Sequence, residues 1–552
     1  MAFINSQSLT NALSNERHVV SYTIAGCIVG LLTSLIITLF KFGFETPTKA
    51  WLPDGTAEGF ESLPVVARFL LPLLGGCVLG TLFYLFKVDK VRVGVPYTVF
   101  TVTKLHGVFP VKNTVTQFFG AIGALLTGQS VGQEGPAVHL GAGVACRTAQ
   151  EAGAPQNSMR IFAGCGVAAA IAAAFNTPLA GVIFAMEVVL FEYTIGRFIP
   201  VIMSAVTAAT VHHLIHGDSQ IDFFQHTPSI ALQENLWLVV MAICLACTSS
   251  IFVKTTQFGQ SFSKMHIIPR FTFAGAITGV FATFAPEIMG TGYDTVGDLY
   301  LGNIALQAMF VLLITKVLAT GAAVGLGIPG GLIGPSMMMG ACIGAIFAAG
   351  ATMVDPSLAG NTPYYVLLGM AGMMSAALNA PLAAIIFIVE LSFMPQLVFP
   401  GLLIVVLANT VHQGVFKLPS IIQLIFEHQG VDVNTSSLTK ALARSNVMQH
   451  MDNRVSQLRS KEKYPYNTDA RYFVFLHPKE PQIATTENVS SEQAPEWREA
   501  CTIPTTASAL QAWQKMDAKQ VDELICVREL RDETMVIGVL RKQRLIDFVL
   551  NG

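Results

Sequence analysis

A chain of 552 residues with 52% hydrophobic and only 12% charged side chains, and a mean hydropathy of +0.55, departs from the roughly quarter-charged make-up of soluble proteins and marks a membrane protein. Its net charge of −2 excludes the strongly basic field expected of a nucleic-acid binder. The nine cysteines are scattered, several inside apolar runs (Cys27, Cys77, Cys146, Cys165, Cys342), and imply no disulfide framework.

The N-terminus lacks the basic, apolar and small-residue segments of a signal peptide, so a short aqueous stretch over 1–20 is expected to lead into a retained helix near 21–42. Segments 21–42, 231–254 and 302–321 reach the length that crosses a bilayer as one helix. Those near 115–127, 137–147, 160–175, 179–192, 364–377 and 381–392 are shorter and punctuated by Gly and Pro. Broken backbone survives in hydrocarbon only where protein or a water-filled cavity shields it, so these segments predict half-membrane helices meeting inside the protein, the architecture of a transporter or channel.

Three blocks recur in the same order. Gly76 and Gly80 return as Gly275 and Gly279, and GQEGPAVHLG at 132 returns as GLIGPSMMMG at 331, both at an offset of 199. FNTPLAGVIFAME from Phe175 to Glu187 returns as LNAPLAAIIFIVE from Leu378 to Glu390 at an offset of 203. The membrane part, 21–425, is therefore read as a tandem duplication over about 60–215 and 260–415. Apolar pattern alone leaves open whether the repeats are parallel or inverted. Paired interrupted segments point to a binding site between the halves.

The repeated glycine-prolines supply a candidate for that site. A helix that begins inside the membrane leaves its first amide donors unpaired and carries the positive end of its dipole, and an anion satisfies both. Glycine lets those amides approach a ligand, and proline is pre-shaped for the first turn. Gly132, Gln133, Glu134, Gly135 and Pro136 read as one such start; Gly331, Leu332, Ile333, Gly334 and Pro335 as a second; Gly94, Val95 and Pro96 as a third. Together they predict an anion site built from partial charges rather than a fixed cation. Glu134 is an ionisable residue beside a buried helix start, and its carboxylate can occupy the anion seat itself; protonation would release it, making a gate.

Other polar residues receive plainer readings. Glu187 and Glu390 hold matching repeat positions and read as polar anchors at helix ends, with a proton path as the competing use. His139, one turn beyond Glu134, reads as a hydrogen-bonded packing histidine, and His212, His213 and His216 as interfacial residues rather than metal ligands. Cys244 and Cys247 form a CxxC within an apolar helix and read as core- or lipid-facing thiols. No metal site and no cofactor is expected. The stretch 430–552 carries about half of the charged residues and is read as an aqueous domain in which a helix, two β-rich runs and a final helix form an α/β pattern.

These residues carry a resemblance. VGQEGP at 131–136, GIPGGLIGP at 327–335, RVGVP at 92–96 and FNTPLAGVIFAMEV at 175–188 resemble the CLC family of chloride channels and chloride/proton exchangers, over about 20–425. The resemblance implies an all-α polytopic membrane protein with two inverted repeats of tilted and half-membrane helices, followed by a small α/β cytosolic domain. It further implies a homodimer with one chloride pathway per subunit in a bacterial inner membrane, both termini cytoplasmic, and Glu134 as the gating glutamate. Val93 stands where the family carries a serine hydroxyl and Ile422 where it carries a tyrosine, so selectivity is expected to differ. Ile333 replaces a phenylalanine but keeps its amide, Gln133 replaces an arginine, and Gln117 stands where a lysine is often found. Val188 replaces the internal proton-relay glutamate of many exchangers, which points toward a channel, with a proton-coupled antiporter as the alternative. The stretch 446–552 resembles a single CBS-type unit with a polar insert near 479–497, a scaffold expected to need a partner surface such as the other subunit's and offering little support for a bound nucleotide.

Other classes fit less well. An intramembrane enzyme would need a nucleophile and base or metal ligands, and no Ser/His or HExxH arrangement appears in the apolar segments. A receptor acting through its tail would leave the membrane part without flux.

Overall fold

The computed structural model describes residues 19–87, 93–154, 156–191, 193, 195–217, 234–428, 442, 445–458, 469–477, 481–486, 495–530 and 533–551. The expected N-terminal segment 1–18, Arg92 of the RVGVP run, the GDSQ run after Gly217 and most of the insert 479–497 lie outside these residues. Contacts divide the chain into a helical unit up to 431 and a second unit from 432 onward that also takes in 155–158.

The helical unit comprises α1 (Val19–Trp51), α2 (Val65–Leu85), α3 (Gly94–Lys104), α4 (Val111–Leu126), α5 (Glu134–Glu151), α6 (Met159–Phe175), α7 (Pro178–Phe184, continued by a π-helical turn Ala185–Leu190), α8 (Ile195–His216) and α9 (Glu234–Gln260). It continues with α10 (Ile267–Ala282), α11 (Tyr293–Leu301), α12 (Leu306–Gly325), α13 (Ile333–Val354), α14 (Thr362–Leu378), α15 (Pro381–Ser392), α16 (Val398–Thr410) and α17 (Ile421–His428). Among the described residues, seven helices are long and apolar enough to cross a membrane. The stretches expected to be short are the helices α4, α6, α7, α14 and α15 and the middle of α5. Helices α6 and α14 are buried on every side from Ile161 to Ala174 and from Tyr364 to Leu378, as an all-apolar helix must be, and form the centre of the unit. By contrast Ile24, Ile28, Leu31, Leu35 and Leu39 recur at helical spacing on an exposed face of α1, a stripe that only a bilayer would cover.

The duplication is visible as an exchange of contacts. Helices α2 and α10 pack across Gly76, Gly80, Gly275 and Gly279; a Cβ on Gly80 would sit 2.8 Å from the Ile268 Cα, so only glycine allows this approach. The Glu187 carboxylate accepts from the Leu382 and Ala383 amides at 3.1 and 2.7 Å, capping α15. Glu390 does the same for α7, accepting from Leu179 and Ala180 at 2.9 and 2.8 Å. Each repeat thus satisfies the first amides of the other's proline-led helix.

The second unit contains α18 (Val447–His450), β1 (Val455–Leu458), β2 (Tyr472–Phe475), β3 (Gln482–Thr485), β4 (Arg498–Glu499), β5 (Cys501–Pro504), α19 (Ala509–Lys519), β6 (Glu523–Leu530), β7 (Glu533–Arg541) and α20 (Lys542–Asn551). Strands β5-β6-β7 form one sheet, with β5 and β6 parallel, and β1-β2-β3-β4 form another. Alternation along the first sheet sends Leu524, Cys526 and Leu540 into a core with Ala512 and Met516 of α19 and Leu545 of α20. Its other face, Ile525, Val527 and Val539, is buried against Tyr472, Val474 and Ile483 of the second sheet. Within this unit the chain itself covers both faces of the β5-β6-β7 sheet, and the stretch read as an insert contributes β3 to that cover. Asp452, just before β1, accepts from Arg454 and from Arg544 of α20, and the Arg454 bond holds its carboxyl below the usual carboxylate range.

Glu187→Ala and Glu390→Ala should each lower the melting temperature of the detergent-purified protein, because each strands two amides and loses roughly 1–2 kcal/mol of charge-assisted hydrogen bonding. Melting curves superimposable on wild type for both variants would contradict the reciprocal caps.

Candidate anion site

The two GxxGP segments meet directly. Gly132 and Gly331 exchange both backbone hydrogen bonds, Gly132 N donating to Gly331 O at 2.9 Å and Gly331 N to Gly132 O at 2.6 Å, as an isolated antiparallel bridge. An antiparallel bridge between residues at one repeat position places a local twofold axis between them. Gly135 lies so close that a Cβ would fall 2.7 Å from the Gly331 Cα. The third segment joins them: Gly94, held at φ +68°, has Gly330 O and the Gly135 Cα as its nearest neighbours, 3.6 and 3.9 Å from where its Cβ would be. All three predicted helix starts therefore converge, with Val95, Pro96, Gln133, Pro136, Leu332 and Ile333 buried around them.

Their tips are left open by their own caps. Val93, Gln133 and Leu332 occupy the N-cap positions of α3, α5 and α13, and none makes a side-chain cap hydrogen bond. At α13 the vacancy is filled by Glu134: its Oε2 accepts from the Gly334 amide at 3.1 Å, and its Oε1 accepts from the Tyr293 hydroxyl. Gly334 must be glycine for this approach, since a Cβ there would stand 2.7 Å from Oε1. Glu134 is 1% exposed.

Several residues differ from their sequence reading. The Gly94 amide is not free for a ligand, because Gln117 Oε1 accepts it at 2.8 Å. His139 packs between Tyr97 and Phe109 rings, 5.3 and 5.6 Å away, but neither ring nitrogen has a hydrogen-bond partner among the described residues, so it packs there without the expected bond. His212 and His216 stack at 4.3 Å, and no cluster of three metal-ligating side chains exists among the described residues. Ile422 is buried at the start of α17, which packs against α3, and Val188 is buried in the π-helical turn after α7.

Sequence reading missed four residues around Glu134. Tyr293, first residue of α11, packs edge-on against Phe175 at 5.9 Å and donates its hydroxyl to the Glu134 carboxylate. Glu58, in the segment between α1 and α2, fixes Tyr293 by accepting from its amide at 2.8 Å and from the Thr291 hydroxyl. Burial, then the neighbouring Asp294, push the Glu58 carboxyl up to about 8, against the pull of the Tyr293 amide and Lys316. The buried ammonium of Lys316 donates to the Ile288 and Gly290 carbonyls at 2.9 and 3.2 Å, and that of Lys41 to the Ala174 carbonyl at 2.6 Å. Both ammoniums donate to carbonyls, and the groups that donate to the Glu134 carboxylate are the Gly334 amide and the Tyr293 hydroxyl. One signal was available: the offset of 199 that links the two GxxGP segments carries Gly94 onto Tyr293 and Gln117 onto Lys316.

The chain is similar to known proteins. A family model described as voltage gated chloride channel matches residues 75–413. The chain is 27% identical over 416 residues to the H(+)/Cl(-) exchange transporter ClcA of Vibrio parahaemolyticus, covering 72% of this chain and 88% of that protein. It is 26% identical over 405 residues to the voltage-gated ClC-type chloride channel ClcB of Salmonella typhimurium, covering 71% and 96%. Among solved structures, a slow cyanobacterial Cl-/H+ antiporter superposes with a TM-score of 0.64 at 20% identity, covering 75% of this chain and 99% of the other, and a CLC-type fluoride/proton antiporter with 0.61, also at 20%, covering 74% and 98%. The matched region spans more than half of the chain, which therefore belongs to the voltage-gated chloride channel (CLC) family of membrane anion-transport proteins.

Proposed function

We propose that this family member passes chloride or a related small anion passively, as a channel whose gate is the Glu134 side chain. The observation that carries this reading is the carboxylate resting on the Gly334 amide at the tip of α13: an arriving anion competes for the same donors. Protonating Glu134 cancels its attraction to those donors and vacates the seat, so acid opens the path. Val188 supports a channel over an exchanger, being a buried apolar side chain, and the adjacent Glu187 carboxylate is committed to the α15 amides. The second reading, anion/proton antiport, is favoured by one contact: the Tyr293 hydroxyl bonded to Glu134 could pass a proton to it. A homodimer with one pathway per subunit, in a bacterial inner membrane with both termini cytoplasmic, belongs to this reading.

Anion efflux and proton movement measured together in liposomes decide between these. Wild-type efflux should rise as pH falls, with no stoichiometric proton counterflow, and Glu134→Gln should conduct at a rate independent of pH. Strict proton coupling that disappears in Glu134→Gln would establish the antiporter instead. Absence of anion flux in both proteins would refute transport. Tyr293→Phe removes one hydrogen bond from the carboxylate and should raise efflux at neutral pH by roughly tenfold, the loss of about 1.4 kcal/mol of closed-state stabilisation; unchanged efflux would show that the hydroxyl does not hold the gate.

A further inference from the structure

Gln117 lies on α4, fully buried, with its side-chain amide at the tip of α3. Gly94 N–H can only donate, so the atom it meets at 2.8 Å must be the amide oxygen, which fixes the orientation of the whole group. The Nε2 is thereby the atom of the group not spent on Gly94, and it has no hydrogen-bond partner among the described residues. A buried NH2 with two unused donors is uncommon in a folded protein and asks for an acceptor. Beside it are the remaining donors of α3: Val95 and Tyr97 carry N–H groups, Pro96 carries none, and the helix dipole adds partial positive charge. The same tip touches Gly330 and Gly135, which places it against the seat that Glu134 occupies. The side chains lining this end offer no donor of their own, since Val93 and Ile422 are aliphatic.

We propose that Gln117 is a ligand of the transported anion, its Nε2 donating to a halide held at the N-terminal tip of α3. The proposal rests on the anion-transport reading and adds to it the side-chain donor that Val93 and Ile422 lack. One amide does two jobs here: its oxygen closes the Gly94 N–H, and its nitrogen presents a neutral donor to the ion. A lysine could not do both, because an ammonium has no acceptor. At the corresponding position of the second repeat, Lys316 spends its ammonium on the carbonyls of Ile288 and Gly290. The two repeats thus use one position for opposite tasks, tying down carbonyls in one half and binding an anion in the other.

Bromide-soaked crystals of the wild-type protein test this through anomalous scattering, with chloride titrations and liposome efflux of Gln117→Glu alongside. Gln117→Glu keeps an acceptor for Gly94 N–H but has no donor when ionised. The expected result is a bromide peak within hydrogen-bonding distance of Gln117 Nε2, and at least a tenfold loss of chloride affinity in the variant at an unchanged melting temperature. Bromide peaks elsewhere along the path with none in contact with Gln117 would overturn the proposal and leave anion transport standing, and so would a variant that binds chloride as wild type does. No bromide anywhere, together with no efflux, would overturn both.

Discussion

A buried helix N-terminus is a set of amide donors with nothing to donate to, and this protein brings three of them to one point. The constraint is electrostatic: in a low-dielectric interior each unpaired donor costs far more than it would in water, so something negative must sit there. The bridge between Gly132 and Gly331 brings two of the tips together, and Glu134 satisfies the open end of α13. The groups that hold the carboxylate, an amide and a hydroxyl, carry partial charges, and on the proposed function an external anion would compete for the same donors.

The duplicated architecture follows from the same constraint. Half-length helices have free ends inside the protein, and each end needs a partner from somewhere other than its own chain neighbours. The structure meets this by exchange between repeats: Glu187 caps α15, Glu390 caps α7, and the Gly132 and Gly331 amides are satisfied by each other's carbonyls. The exchange is symmetric at the scaffold and broken at the seat. Glu134 has Ile333 as its repeat counterpart, and Gln117 has Lys316, so the acid and the neutral amide both belong to the first half, while the second supplies the Gly334 amide that the carboxylate meets.

Much of this was legible in the sequence because glycine and proline act locally. GxxGP and NxPLAxxIFxxE state where helices start, and three blocks recurring in one order at offsets of 199, 199 and 203 state that there are two halves. The convergence of Gly94 with the other two tips followed from the same chemistry. What could not be read were contacts made between elements distant in sequence. Tyr293 reaches Glu134 across 159 positions and Glu58 reaches Tyr293 across 235, and neither residue has a local signature. His139 was expected to find a hydrogen bond, but the surrounding rings leave none, a packing outcome that composition does not encode. In the second unit, strands of two to four residues hid a second sheet, and with it the cover for the first.

The central claim is that Glu134 and the transported ion compete for one seat at the tip of α13. Calorimetric chloride titration of wild type and Glu134→Ala tests it most directly. The account predicts that the alanine variant binds one more chloride per chain than wild type, the extra ion taking the Gly334 amide and the Tyr293 hydroxyl that the carboxylate has vacated. Identical stoichiometry and affinity in the two proteins would contradict it.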